Sequence, residues 1–211
     1  MNFKTRLHGT AAGLAAAMVM GGCAMMEPKA ERYVPPPMGT TWERMQTDTG
    51  SYGSSSAKSV GRRGEREWQG AKVITFELAT GTVFAQQDGA WLGIFKGDTP
   101  IFTFDPPQNW QYPLEVGKTW SREQRMTIHA AKRTVAYKLT QKVEAIEEIT
   151  VPAGTFKTFK VSTVTSLGDE NLTWFSPELG IFVKVRNVRT AKHPQGAGTR
   201  SIDLLSYKRG G

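Results

Sequence analysis

The 211-residue sequence predicts an all-β protein built on an antiparallel sheet, with few or no helices. Apolar and polar residues alternate along most of the chain after residue 39, as is typical of strands with one buried face. Turns that contain glycine or proline separate these segments, and no stretch of about ten residues has a helical pattern. Periodicity does not distinguish a sandwich, a barrel and a curved half-barrel, so all three stay open.

The longest predicted strand covers residues 134–145, and its apolar face carries Val135, Tyr137, Leu139, Val143 and Ala145. Charged residues and threonine occupy the opposite face. The same alternation predicts shorter strands around residues 74–78, 126–130, 159–163, 172–174 and 181–185.

Turn residues indicate where these strands are connected. Asp88-Gly89 predicts a hairpin, because glycine readily adopts the positive φ of such turns. Residues 176–180 predict a chain reversal, residues 191–198 a looser connection, and the sequon Asn171-Leu172-Thr173 the exit of a turn. Residues 50–64, with three consecutive serines and two glycines around Arg62 and Arg63, predict a long mobile loop.

A Gly-x-Thr-Trp-x-Arg motif occurs twice, at Gly39–Arg44 and at Gly117–Arg122. Residues two apart in a strand point to the same face, so each motif directs its tryptophan and its arginine the same way. We expect Trp42 and Trp120 to be core residues at the start of two strands. The repeat reflects either two similar meanders in one sheet system or chance in a glycine-rich chain.

The N-terminus has the parts of a secretory signal peptide, expected over residues 1–22. Lys4 and Arg6 precede an uncharged stretch at residues 9–22, which is too short to span a bilayer. The only cysteine, Cys23, follows Met20-Gly21-Gly22 and resembles the lipobox of bacterial lipoproteins. This resemblance implies lipid attachment at Cys23, with Ala24 favouring the outer membrane and a periplasm-facing protein.

The expected organisation has three parts. Residues 1–22 form the signal peptide, residues 23–38 the lipidated N-terminus and a proline-rich tether, and residues 39–211 a single β-rich domain. Loss of Lys4 and Arg6 with the signal peptide lowers the net charge from +8 to +6. A modestly basic envelope protein can meet anionic lipids, cell-wall carboxylates or protein partners. We expect no nucleic-acid partner.

Catalytic and metal-binding motifs are not found in the sequence. His129 is expected on a polar strand face and His193 in a loop, neither with other ligands at zinc spacing. No nucleophile elbow occurs, and the pairs Glu147-Glu148 and Asp169-Glu170 fall at strand ends or turns. We therefore expect no catalytic residues, no metal and no cofactor. A hydrolase that uses carboxylates in a cleft is the remaining enzymatic alternative.

Aromatic and basic residues offer two candidate binding features. Seven aromatic side chains crowd into residues 91–120, where core packing is the default interpretation and a ligand groove the alternative. They are Trp91, Phe95, Phe102, Phe104, Trp110, Tyr112 and Trp120. Arg62, Arg63 and Arg66 form either a solvated basic loop or a site for an anionic head group.

Three segments, Tyr112–Trp120, Ile149–Phe156 and Trp174–Gly180, resemble uncharacterised β-rich envelope lipoproteins of Gram-negative bacteria. The resemblance implies an envelope location and carries no activity. The leading hypothesis is a membrane-anchored, non-enzymatic binding or assembly module whose ligand-binding residues are unknown. The alternatives are a carrier or sensor of a hydrophobic or anionic lipid-like ligand, favoured by a large apolar cavity, and the carboxylate hydrolase.

Overall fold

The computed structural model describes residues 29–78 and 80–211, and it shows twelve antiparallel strands closed into one barrel. The all-β prediction is confirmed, and the barrel is the arrangement found. Each strand pairs with the next strand along the chain, and β12 closes the barrel against β1. The strands are β1 (Thr41–Gly50), β2 (Ser55–Trp68), β3 (Ala71–Leu78), β4 (Gly81–Ala85), β5 (Trp91–Lys96), β6 (Thr99–Gln108), β7 (Thr119–Ile128), β8 (Arg133–Val151), β9 (Gly154–Thr165), β10 (Asp169–Ser176), β11 (Ile181–Arg189) and β12 (Gly198–Lys208).

The described residues form no helix that is long and apolar enough to cross a membrane. Most predicted strands are confirmed. In β8 the buried face carries Tyr137, Leu139 and Val143, as expected, together with Gln141. The Asp88-Gly89 hairpin joins β4 to β5, and residues 177–180 join β10 to β11.

The loop predicted over residues 50–64 is wrong, because β2 begins at Ser55 and pairs with β1 along most of its length. Only residues 51–54 form the turn. Gly61, which had indicated a loop, lies opposite Trp42 in the sheet. A Cβ atom on Gly61 would lie 2.0 Å from Trp42 Nε1, so the absence of a side chain makes room for the indole.

The basic loop expected at Arg62, Arg63 and Arg66 is also wrong. All three residues lie in β2, and two of them are paired with carboxylates. Arg63 is 5% exposed and bonds Glu65 at 2.5 Å, while Arg66 contacts Asp98 at 2.6 Å. The positive charge of these two side chains is therefore matched within the protein.

Trp42 and Trp120 are 3% and 6% exposed, which confirms that both are core residues. They belong to separate clusters. Trp42 packs with apolar side chains that include Ile74, Val83 and Leu204, whereas Trp120 packs with a group that includes Phe159 and Val161. Each tryptophan thus anchors a different part of the barrel core.

The tether expected over residues 23–38 is described only from Lys29 onward, and from there the chain lies against one end of the barrel. Ala30 is buried and exchanges two backbone hydrogen bonds with Leu114, at 3.2 and 2.8 Å. The Tyr33 hydroxyl donates to the Gly180 carbonyl at 3.2 Å. Cys23 and the expected signal peptide lie outside the described residues.

Candidate functional site

The barrel encloses a cavity of about 470 Å³. That volume is within the range of small-molecule sites, roughly 300 to 1,000 Å³. Much of its wall is aromatic or aliphatic, and the apolar side chains include Trp42, Phe76, Trp91, Ile94, Phe182 and Ile202. This cavity is the candidate functional site.

A row of inward-facing polar residues crosses six neighbouring strands at one level of the barrel. Each residue in the row is the direct register partner of the next, so their side chains are cross-strand neighbours. We call this set the polar row: Asp48 on β1, Arg200 on β12, Asn187 on β11, Asn171 on β10, Thr163 on β9 and Gln141 on β8. All of them except Asp48 line the cavity.

Both ends of the polar row are satisfied by protein groups. At one end, Arg200 donates to both oxygens of Asp48 at 2.8 Å, and Gln46 Nε2 donates to Asp48 Oδ2 at 2.9 Å. At the other end, Trp120 Nε1 donates to Gln141 Oε1 at 3.0 Å, and Gln141 Nε2 donates to Thr163 at 3.1 Å. These bonds hold the row in a fixed geometry.

We expect Asp48→Asn to lower the free energy of unfolding by up to about 3 kcal/mol at pH 7, because Arg200 then loses its counterion in a partly buried site. The hydrogen bond from Arg200 lowers the pKa of Asp48 below its ordinary value near 3.8. The stabilisation is therefore complete above that value and is lost as pH falls through the lower, folded-state pKa. Urea unfolding from pH 7 to pH 3 measures this, and a difference from wild type that does not shrink in acid contradicts it.

Arg44 lines the same cavity and is 6% exposed. Its Nη2 donates to the Phe182 carbonyl at 3.2 Å, and its Nε has no hydrogen-bond partner in the part of the chain that the structure describes. The guanidinium stacks over the Phe182 ring at 4.3 Å and over Trp42 at 5.3 Å. Aromatic faces therefore supply most of its local stabilisation.

No described carboxylate forms a salt bridge with Arg44. Burial alone lowers its pKa to about 9, which leaves the side chain charged at pH 7. A buried charge without a counterion is energetically costly. Among the described cavity-lining residues, the only acidic one is Asp88, which lies in the exposed β4–β5 turn. The cavity thus has an uncompensated positive charge at Arg44.

The arginine of the second motif is held in a comparable way. Arg122 Nη1 donates to Asn109 Oδ1 at 2.8 Å and to the Pro107 carbonyl at 3.2 Å. Its Nε and Nη2 atoms are buried without partners among the described residues, and burial lowers its pKa. Both arginines of the repeated Trp-x-Arg pattern thus have buried nitrogens without partners among the described residues, and of the two only Arg44 lines the cavity.

A groove of about 700 Å³ lies at the barrel end that is covered by the N-terminal segment. Residues 32–35 form one of its walls. Five of its residues also line the cavity: Tyr33, Asp88, Asn109, Trp110 and Tyr112. The groove and the cavity are thus contiguous, and the groove is the access route that the geometry indicates.

Core packing and a ligand groove were the two interpretations of the aromatic cluster over residues 91–120, and each applies to some of its residues. Trp91, Trp110 and Tyr112 line the cavity, while Trp120 is a core residue outside it. Phe95 stacks on Phe84 in a small separate cluster, with ring centroids 4.2 Å apart.

The histidines and carboxylate pairs lie away from the cavity lining. His129 bonds Thr103 at 3.0 Å, and His193 lies 3.7 Å from Asp169. Glu147 accepts from Trp174 Nε1 at 2.5 Å. In residues 29–78 and 80–211, no three His, Cys, Asp or Glu side chains are grouped so as to hold a metal ion.

Sequence reasoning missed the polar row. Asn171 lies inside β10, so the prediction that its sequon marks a turn exit is wrong. One signal was present, since Gln141 interrupts the apolar face of the longest predicted strand. A polar residue on a buried face indicates either an internal hydrogen-bond network or a lined cavity.

Crystal structures that are similar to this chain include the following three. A candidate lipoprotein of Parabacteroides distasonis has a TM-score of 0.45 at 13% identity, covering 85% of this chain and 99% of that one. A candidate exported protein of Bacteroides fragilis, described as having a YmcC-like fold, has a TM-score of 0.49 at 16% identity, covering 85% and 100%. The hypothetical lipoprotein YmcC of Escherichia coli has a TM-score of 0.38 at 12% identity, covering 80% and 84%.

All three are described as lipoproteins or exported proteins, the class that the sequence resembles. Similarity at this level assigns no activity or ligand to the chain. No known family profile matches the sequence, and a search of curated proteins finds no relative.

Proposed function

We propose that this protein is a lipid-anchored envelope protein that binds an amphipathic anion inside its barrel. The observation that carries the proposal is Arg44, a buried guanidinium that faces the cavity without a carboxylate partner among the described residues. An anionic group of a ligand would supply the missing counterion. This function corresponds to the carrier or sensor hypothesis rather than to the assembly module.

The apolar part of the ligand is inferred from the cavity wall. Trp42, Phe182 and Ile202 line the cavity near Arg44, and burial of a hydrocarbon against them is favourable. A small hydrophilic anion would leave these surfaces without a partner. The wall therefore favours a ligand with a carboxylate or phosphate and a hydrocarbon portion.

The membrane is the proposed source of this ligand. Lys29 lies six positions after Cys23, and an extended chain of that length spans at most about 20 Å. A lipid on Cys23 would therefore hold the groove beside residues 32–35 close to the bilayer surface. Ala24 after the cysteine favours the outer membrane, with the barrel in the periplasm. We propose that the protein is not an enzyme.

Charge-dependent binding tests the function, and the full chain carrying Cys23→Ala is suited to the measurement. Trp42, Trp91 and Trp110 line the cavity, so energy transfer from tryptophan to cis-parinaric acid reports occupancy. The acid should bind at least about tenfold more tightly than its methyl ester, since hydrogen bonds to a charged group contribute about 1.5 to 3 kcal/mol.

The matched variants are Arg44→Met, which removes the charge at similar volume, and Arg44→Lys, which keeps it. The preference for the acid should vanish in Arg44→Met and persist in part in Arg44→Lys. Equal affinity of the wild-type chain for acid and ester, or no energy transfer with either probe, would refute the proposal.

The anchor is tested separately. We expect Cys23→Ala to abolish labelling by a clickable palmitate analogue and to release the protein from bacterial membranes, because Cys23 is the only cysteine in the chain. Labelling and fractionation of cells that express either form provide the measurement. Continued labelling and membrane association of the variant would contradict lipid attachment at this residue.

A further inference from the structure

At the middle of the polar row lie two asparagines whose side-chain amides form no hydrogen bond with the described residues. Asn171 and Asn187 are direct register partners on β10 and β11, and both line the cavity. Within the described part of the chain, neither side-chain amide forms a hydrogen bond. The Asn171 Oδ1 atom is buried, whereas Asn187 is half-buried and has no buried unpaired atom. Two adjacent amides without partners thus face the enclosed space.

The gap in hydrogen bonding is local. On one side of the pair Arg200 is bonded to Asp48, and on the other side Thr163 accepts from Gln141. A buried polar group without a partner costs free energy, and native proteins satisfy nearly all of them. The buried Asn171 Oδ1 atom, unpaired among the described residues and next to Asn187, lies between two satisfied ends and therefore indicates a position where a ligand group completes the row.

The spacing between this pair and Arg44 constrains the ligand. Arg44 pairs with Leu204, and Asp48 of the polar row lies four residues further along β1. At roughly 3.3 Å per residue, the two levels are about 13 Å apart along the strand. A chain that binds at both positions must therefore carry its hydroxyl well away from the carboxylate, near the middle of the chain.

We propose that the ligand is a hydroxylated acyl anion, with its charged group at Arg44 and a mid-chain hydroxyl bound by Asn171 and Asn187. This inference rests on the proposed function and names the ligand class for the same site. A hydroxyl donates one hydrogen bond and accepts others, so it can bridge an amide oxygen and an amide nitrogen. It suits either orientation of each amide. A plain acyl chain would leave the buried Asn171 Oδ1 atom without a partner.

Displacement of cis-parinaric acid from the full chain carrying Cys23→Ala compares three probes: octadecanoic acid, 12-hydroxyoctadecanoic acid and 2-hydroxyoctadecanoic acid. The mid-chain hydroxyl should increase the affinity at least about tenfold over octadecanoic acid, as expected for one hydrogen bond in a site that otherwise leaves a polar group unpaired. The hydroxyl next to the carboxylate should give no such increase.

Asn171→Leu and Asn187→Leu should each abolish the advantage of the mid-chain hydroxyl and leave the affinity for octadecanoic acid within about twofold of wild type. Thr173→Val is the matched control, since it removes a cavity-lining hydroxyl one level away from the pair. The Thr173→Val variant should keep the full preference for 12-hydroxyoctadecanoic acid over octadecanoic acid.

The outcomes separate this inference from the proposed function. If octadecanoic acid binds in an Arg44-dependent way and the mid-chain hydroxyl adds nothing in the wild-type chain, the assignment of the asparagine pair is wrong and the proposed function stands. If cis-parinaric acid binds and none of the three acids displaces it, the assignment is wrong as well. If the probe itself does not bind, the proposed function is refuted. The comparison of the three acids in the chain without leucine substitutions tests the inference even if both leucine variants fail to fold.

Discussion

Truncation of Trp120 to alanine is expected to lower the free energy of unfolding by about 3 to 5 kcal/mol, the usual cost of removing a buried aromatic side chain. Trp120 is 6% exposed and packs among Leu114, Phe159 and Val161. Its Nε1 also donates to Gln141, which is 1% exposed. Loss of that donor leaves a buried acceptor unpaired and places the effect toward the upper end of the range.

Trp42→Ala is expected to have a similar cost, because this indole is 3% exposed and packs against Gly61 and Phe76. The two variants should differ in binding. Trp42 lines the cavity, so its removal should also weaken binding of cis-parinaric acid, whereas Trp120 lies outside the cavity lining. Against total stabilities of about 5 to 15 kcal/mol, either change removes a large fraction of the stability.

Urea unfolding of the full chain carrying Cys23→Ala measures these effects by circular dichroism. Trp110→Ala is the matched control, since Trp110 is half-buried and packs edge-on against Phe175, with ring centroids 5.4 Å apart. It should cost clearly less stability. If Trp120→Ala costs no more than Trp110→Ala, the second motif does not provide a core anchor.

Arg44→Met should raise the stability of the ligand-free protein by about 1 to 3 kcal/mol while it removes the preference for anionic ligands. Desolvation of a buried charge costs several kcal/mol. The contacts that offset it are stacking on Phe182 and Trp42, up to about 2 kcal/mol, and one charge-assisted hydrogen bond to the Phe182 carbonyl, about 1.5 kcal/mol. Since the penalty exceeds the gain, a methionine of similar volume should be more stable there.

Arg200→Met is the matched control, and we expect it to change the free energy of unfolding in the opposite direction. Arg200 lines the same cavity and neutralises Asp48, which is 5% exposed, so its removal leaves a buried carboxylate unpaired and should destabilise the protein. Thermal and urea unfolding without ligand compare both variants with the wild-type chain. A destabilised Arg44→Met variant would show that the guanidinium is fully compensated in the free protein, and that the cavity does not need an anion.

Several parts of the fold follow from local patterns. Alternation of side chains identified β8 and the buried faces of β3 and β11, because a strand with one buried face must repeat every two residues. The Trp-x-Arg spacing placed Trp42 with Arg44, and Trp120 with Arg122, on the same face. The β2 strand was missed because its serines and glycines have low strand propensity. Its pairing with β1 and the fit of Gly61 against Trp42 override that propensity.

Much less of the candidate site could be predicted from the sequence. Asp48 and Arg200 are 152 residues apart, and nothing local to either residue indicates that they pair. Asn171 was assigned to a turn exit, since the same residue type is common in turns and acceptable on an inward strand face beside a cavity. A lone arginine in an alternating segment is usually solvated, and Arg44 is exceptional only because no described carboxylate neutralises it inside the barrel.

The sequence by itself determined the all-β class, most of the strands, and which side chains of each strand share a face, because these properties depend on steric and hydrophobic effects between residues close in the chain. Closure of β12 onto β1, the cavity, and the alignment of Asp48, Arg200, Asn187 and Asn171 at one level were decided by the tertiary structure. Register between strands sets which polar residues become neighbours, and barrel curvature sets whether they meet one another or an enclosed space.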